Sequence, residues 1–279
     1  MQKPVFVEGR NLDEVWFQLL VELCKNGSVF KVSEGSFKGD FRLEFDFVSG
    51  VIHKPIEYNE VGLRLPMAPT VPHGCPPPTT DYSIDQYFAN YLMDSCTSKN
   101  EHYRYSTWIV GGEYIVPNLD IVSLRYSGNV KVVAPNQLDW IINHYKKKGF
   151  GNNHCCMQIG YPESTMAYDQ LYSNETERNT SPCLRIIDTK IVKDEGINKL
   201  LLNVYYRSWD LYGGWPENMG GFALLQEYIA SELGIETGML GFSSAKLHVY
   251  GHSIDPLVMR AGVPELKESF EKIKKEYML

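Results

Sequence analysis

LRIIDTKIVKDEGINKLLLNVYY, residues 184–206, is the stretch whose reading decides the fold. Leu184 to Val192 and Leu200 to Tyr206 are two apolar, β-branched and aromatic runs. They flank Lys193-Asp194-Glu195-Gly196, and together they read as two strands joined by a hairpin or near-hairpin turn. Outward from this pair, helical and strand patterns are interspersed without strict β-α-β alternation. Helices are predicted over Asn11–Gly27, Ser83–Ser95, Asn136–Lys148 and Gly221–Leu233. Asn11 and Asn136 act as caps, Gly27 and Gly149 as stops, and Phe222, Leu225, Ile229 and Leu233 form one stripe of the last helix. Strands are predicted over Phe41–Ile52, Ile121–Val133, His154–Gly160 and Lys246–Tyr250, and Pro264 opens a final helix. Leu65 to Thr80 holds six prolines in 16 residues and reads as an ordered loop. The expectation is one α+β domain over residues 1–279, its mixed, largely antiparallel sheet flanked by helices.

Composition narrows the function. The 279 residues are 43% hydrophobic and carry a net charge of −7, with no low-complexity tract. The basic runs, Lys146-Lys147-Lys148 and Lys272 to Lys275, sit late in predicted helices, where cations suit the dipole, so no nucleic-acid partner is expected. No apolar run reaches the roughly 20 residues that span a bilayer, and no signal-peptide core follows Met1. The six cysteines (24, 75, 96, 155, 156 and 183) are scattered without a C-x-x-C pair. A reducing cytoplasm is expected, and neither a disulfide scaffold nor a metal site. His154-Cys155-Cys156 is the one metal-like cluster, and alternating strand faces would split its ligands.

The chemistry-bearing residues lie late in the chain. Cys183 follows Pro182 at the start of an apolar strand; alone it reads as an inert core thiol rather than a nucleophile. Arg207-Ser208-Trp209-Asp210 places a guanidinium, a hydroxyl and a carboxylate at the end of the next strand, where arginine can depress a thiol pKa or hold a phosphate. A surface Arg–Asp pair is the plain alternative. Gly213-Gly214-Trp215-Pro216-Glu217-Asn218-Met219-Gly220-Gly221 frames an aromatic and an amide with glycines that let a ligand approach. A helix-capping loop would look the same. His248 and Tyr250 lie two apart, on one strand face.

In that order, Pro-Cys, Arg-Ser-x-Asp, Gly-x-Pro-x-Asn and His-x-Tyr resemble the thymidylate synthase and pyrimidine-nucleotide hydroxymethylase family, and most its divergent archaeal and phage branch. The motif-bearing part runs from about 153 to 255. The resemblance implies that Cys183 attacks C6 of dUMP, Arg207 and Ser208 hold its 5′-phosphate and keep Cys183 ionised, and Asn218 reads the uracil edge. It further implies that His248 and Tyr250 hold the 3′-hydroxyl, and that Asp210, with Trp215 and Gly214, meets 5,10-methylenetetrahydrofolate or a related reduced pterin. Cys183, Asp210 and Asn218 would be the catalytic set of a homodimer. The product would be dTMP, or 5-hydroxymethyl-dUMP if water captures the methylene; an inactive nucleotide-binding homologue is the third possibility. Departures from the family pattern are Leu184 where His commonly follows the cysteine, Tyr206 where Gln precedes Arg-Ser, and Asn153-His154-Cys155 near the place of the paired arginines lent to a neighbouring subunit. Only Asp81 and Asp85 stand in the helix expected to bear a proton-relaying Glu.

Overall fold

The computed structural model describes residues 3–33, 37–95, 103–120, 125–166, 181–262 and 275. Its strands are β1 (Val5–Gly9), β2 (Ser28–Lys31), β3 (Phe41–Glu44), β4 (Val48–Ile52), β5 (Gly112–Asp120), β6 (Arg125–Ala134), β7 (Cys156–Gln158), β8 (Leu184–Asp194), β9 (Ile197–Tyr206), β10 (Trp209–Asp210), β11 (Glu236–Ser244) and β12 (Leu247–Tyr250). Its helices are α1 (Leu12–Asn26), α2 (Asp81–Gln86), α3 (Ser106–Ile109), α4 (Gln137–Lys148), α5 (Gly214–Leu233) and α6 (Ile254–Ala261). A six-stranded mixed sheet runs β1-β4-β11-β9-β8-β7, a four-stranded one β10-β12-β3-β2, and β5 pairs with β6. This is the expected α+β architecture, with most strand pairings antiparallel.

The β8–β9 hairpin forms as expected and is longer than predicted. Its turn is Glu195-Gly196, both at positive φ (48° and 88°), the twist that suits a two-residue connection between right-handed strands. α1 is capped as read: the Asn11 side chain accepts from the Glu14 N–H, and Gly27 ends the helix. α4 likewise has Asn136 accepting from Asp139 N–H and Gly149 as its stop.

Three readings need correction. Phe41–Ile52 is not one strand. The chain bends at Phe45-Asp46-Phe47 and changes sheets: Phe45 N–H donates to Leu247 O in the smaller sheet, and Val5 N–H to Phe47 O in the larger. Ser83–Ser95 begins earlier, at Asp81 behind a Thr80 cap, and widens into a π-helical turn over Tyr87–Leu92. The last predicted helix stripe starts at Gly214, not Gly221, so the glycine-rich stretch is the first turns of α5 rather than a loop. Residues 121–124 of the predicted Ile121–Val133 strand, and the helix from Pro264, lie outside the described residues apart from Lys275.

α5 is the spine. It packs against β9 and β11, with α1, α2 and α4 around it, and Phe222, Leu225 and Ile229 are fully buried. Gly220 and Gly221 allow this approach. A Cβ at Gly221 would lie 2.4 Å from Tyr87 Cδ1, and one at Gly220 2.7 Å from Ile84 Cγ2. These two glycines therefore serve helix packing rather than ligand access. The opposite face of the six-stranded sheet carries Phe6, Ile186 and Met239, all exposed.

Candidate active site

Hairpin register brings the thiol and the first arginine together. Leu184 pairs with Tyr206, so Cys183 and Arg207 face each other one step beyond, and Arg207 N–H donates to Cys183 O at 2.9 Å. The Arg207 guanidinium donates from Nε to Pro182 O (3.1 Å) and from Nη2 to Ser181 O (2.7 Å). It thus clamps the turn that carries the cysteine. Burial pushes the Cys183 thiol above its ordinary value, while Arg207 and then Arg185 pull it down. Arg207 pulls the thiol pKa down, and desolvation outweighs that pull, so the net shift is upward. Ser208 is half-buried beside this turn.

β10 pairs with β12 in parallel, Asp210 beside His248. Asp210 Oδ1 accepts the Tyr212 N–H at 3.1 Å. Burial raises its carboxyl pKa, opposed by the Tyr212, Gly213 and Gly214 N–H groups at the start of α5. Gly214 lies against Asp210, where an added Cβ would sit 3.5 Å from Asp210 Cβ and 3.7 Å from Asn218 Oδ1. His248 is 1% exposed and bonds Lys246 O through Nδ1 (2.9 Å). A carbonyl only accepts, so the ring proton is on Nδ1 and Nε2 is a bare acceptor. Among the described residues that buried Nε2 has no hydrogen-bond partner. Burial first, then Arg42, lowers the His248 pKa to about 4 against the pull of the Lys246 carbonyl, so the ring is neutral. Tyr250 lies edge-on to His248 at 4.6 Å. Arg42, Asp210 and Cys183 all act on its phenol, which places sugar-side and thiol-side candidates in one neighbourhood.

Asn218 is fixed by a residue that sequence reasoning did not name as its partner. Trp209 Nε1 donates to Asn218 Oδ1 at 2.8 Å. Indole N–H is a donor only, so the amide orientation is decided: oxygen toward Trp209, Nδ2 away from it. Trp209 in turn stacks on Tyr206 at 3.8 Å with 8° between planes. Trp215, expected at the cofactor, is fully buried against Trp209 and Phe242, which leaves it no face for a ligand.

Two arginines were missed. Arg42, in β3 opposite Tyr250, pairs with Glu44 at 2.6 Å. Arg185 lines a cleft of ≈ 390 Å³ with Arg207, Thr165, Ser181, Ile186 and Tyr205. The only signal for Arg185 was its place two residues after the cysteine. Asp81 and Asp85 both have structural tasks: Asp81 accepts the Met67 N–H and Asp85 pairs with Arg64. His154 meets His144 ring to ring, nitrogen to nitrogen at 3.1 Å, while Cys155 is fully buried, so the 154–156 cluster does not converge. Another depression, of ≈ 710 Å³ at the far end of α5, includes Phe88, Leu224 and Glu236 and none of these groups.

A thymidylate synthase family model matches residues 160–273. A putative thymidylate synthase of Methanopyrus kandleri is 33% identical over 256 residues, 91% of this chain and 97% of that one. Those of Methanothermobacter marburgensis and Methanosarcina mazei are 37% and 38% identical over 76 and 81 residues, 27% and 29% of this chain. In these shorter matches the chain spans about a third of the relatives' length, 32% and 36%. The solved thermostable thymidylate synthase A from Bacillus subtilis superposes with a TM-score of 0.56 at 16% identity, covering 90% of this chain and 84% of that one, a likeness of fold.

Proposed function

The chain belongs to the thymidylate synthase family, and from that premise we propose that it is a one-carbon transferase that methylates dUMP at C5 to give dTMP. The observation that carries the reading is the thiol of Cys183 set opposite Arg207 by the hairpin, between two guanidinium groups that favour its anion. As thiolate it adds to C6 of the uracil, the electron pair moves through C5 to O4, and C5 becomes a carbon nucleophile. Asn218 Nδ2 donates to O4 and so stabilises the charge that develops there. Its Oδ1, already taking the Trp209 N–H, has a second lone pair for N3–H. The orphan Nε2 of His248 accepts the sugar 3′-hydroxyl beside Tyr250, and Arg207 with Ser208 meets the phosphate.

The reduced folate supplies the methylene carbon and, for methylation, the hydride. Asp210 fits its pterin: the carboxylate is oriented by the N–H groups opening α5 and matches the donor edge of an aminopyrimidinone ring. The open face of the six-stranded sheet, with Phe6, Ile186 and Met239, is where we place a second copy in a homodimer. Light scattering that gives a stable species of 31.9 kDa, one chain, would count against the dimer.

The test of the reaction is 5-fluoro-dUMP with methylenetetrahydrofolate. Fluorine cannot leave C5 as a proton does, so a ternary adduct on Cys183 accumulates and is read by intact mass and peptide mapping. No adduct sinks the proposal. Mass spectrometry of the product from dUMP itself separates methyl from hydroxymethyl transfer.

A further inference from the structure

We infer that Arg185 is a second phosphate-binding residue of this site, acting with Arg207 on the substrate's 5′-phosphate, so that a single chain supplies two guanidinium groups. The inference rests on the nucleotide reading above. Arg185 is the extra residue of a β-bulge: the pairing passes from Leu184↔Tyr206 to Ile186↔Tyr205 and skips it. A bulge re-aims a side chain that strict alternation would direct elsewhere, and here it brings Arg185 into the cleft that Arg207 lines.

The surroundings are built to hold it there. Nη1 donates to Ser164 Oγ at 2.9 Å, and Ser164, fully buried, donates on to Tyr161 O at 2.6 Å. Gly160, at φ 87°, leaves the space: a Cβ there would sit 3.2 Å from both Arg185 Nη1 and Pro182 Cγ. A guanidinium has five N–H donors. Arg185 spends one on Ser164, whereas Arg207 spends its Nε and one Nη2 hydrogen on the cysteine turn. Among the described residues Arg185 is therefore the freer of the two.

Charge points to the ligand. Burial and Arg207 both disfavour the charged form of Arg185. Among the described residues no carboxylate pairs with either arginine. Two like charges lining one cleft with the hydroxyl residues Thr165 and Ser181 are relieved by a dianion with several acceptor oxygens, which a phosphate monoester is. Ile186 and Tyr205 of the same cleft lie at the open sheet face where we place a second copy.

The experiment titrates the wild type, R185Q and R185K with dUMP, deoxyuridine and inorganic phosphate by calorimetry between pH 5 and 7. R185Q should bind dUMP about ten- to a hundredfold more weakly and deoxyuridine unchanged, with partial recovery in R185K. Wild-type affinity for dUMP should rise as the second phosphate proton leaves near pH ~6, and R185Q should flatten that rise; a merely structural arginine would not touch it. Wild-type dUMP affinity in R185Q, or a parallel loss for dUMP and deoxyuridine, overturns the inference and leaves the reaction standing. A wild type that ignores dUMP yet binds inorganic phosphate through Arg185 overturns the nucleotide reading and leaves the anion site. Should the variants not fold, the wild-type complex with dUMP decides: phosphate oxygens beyond hydrogen-bond distance of Arg185 refute it, and contact upholds it.

Discussion

Trp209→Phe removes one hydrogen-bond donor together with the pyrrole half of a buried indole. Trp209 is 3% exposed and stacks face to face on Tyr206; phenylalanine keeps that stack while deleting the Nε1 that bonds Asn218 Oδ1 at 2.8 Å. In the wild type, turning the Asn218 amide over would bring Nδ2 against the indole N–H and leave a buried donor unpaired, at about 1–3 kcal/mol. That cost is the lock on the amide. Uracil needs a donor toward O4; cytosine presents a 4-amino group there and needs an acceptor. With the lock gone the flipped amide serves cytosine, so the preference for dUMP over dCMP should fall roughly 5- to 160-fold, at 1.36 kcal/mol per decade. Stability should fall by about 1 kcal/mol for the lost bond. The assay is kcat/KM for both nucleotides in both proteins, with urea unfolding as the control. A folded variant whose dUMP:dCMP ratio stays within about twofold of wild type refutes the idea that Trp209 sets the reading of the base.

Cys183→Ala should abolish turnover and leave dUMP binding intact, measured by product assay and calorimetry. Because burial holds the thiol above its ordinary value, kcat/KM should climb with pH beyond the normal cysteine range, and Arg207→Gln, which removes the larger downward pull, should move that limb further alkaline. His248, at about 4 when folded against 6.5 when unfolded, costs nothing at pH 7. As pH falls from 6.5 toward 4 the unfolded chain binds a proton that the folded one refuses, so stability is lost by roughly 3 kcal/mol across that window; urea unfolding of His248→Gln should show a shallower acid decline. Gly221→Ala should lower stability by about 1–3 kcal/mol through overlap with Tyr87, seen as a drop in Tm despite alanine's better helix propensity.

What was legible in the sequence follows from what repeats locally. The β8–β9 hairpin and the caps of α1 and α4 depend on neighbours within a few residues, and they formed as read. The split of Phe41–Ile52 was hidden because apolar residues continue through Phe45 and Phe47, although Phe45 is fully buried and Phe47 is exposed; the bend between them is set by distant partners in both sheets. β5 was missed where Pro117 breaks the strand pattern, and the start of α5 because Gly213-Gly214 resembles a loop until packing on the sheet is known. In the site, Cys183, Arg207, Asp210, Asn218, His248 and Tyr250 were named from residue type and order. Their orientation was not: the Trp209–Asn218 bond, the orphan nitrogen of His248 and the bulge at Arg185 are facts of register and distance that a linear pattern does not contain.

The corner at Phe45-Asp46-Phe47 is one of three places, among the described residues, where the chain passes directly from one sheet to the other; the others lie between β9 and β10 and between β11 and β12. Cys183, Arg185 and Arg207 stand on or at the ends of strands of the larger sheet, and Arg42, His248 and Tyr250 on the smaller. A nucleotide held at both ends, as proposed, is therefore measured against a gauge set by these three crossings, one of which is Arg207-Ser208 itself. The spacing of the two grips is thus fixed by how the sheets are joined as much as by the side chains that stand on them.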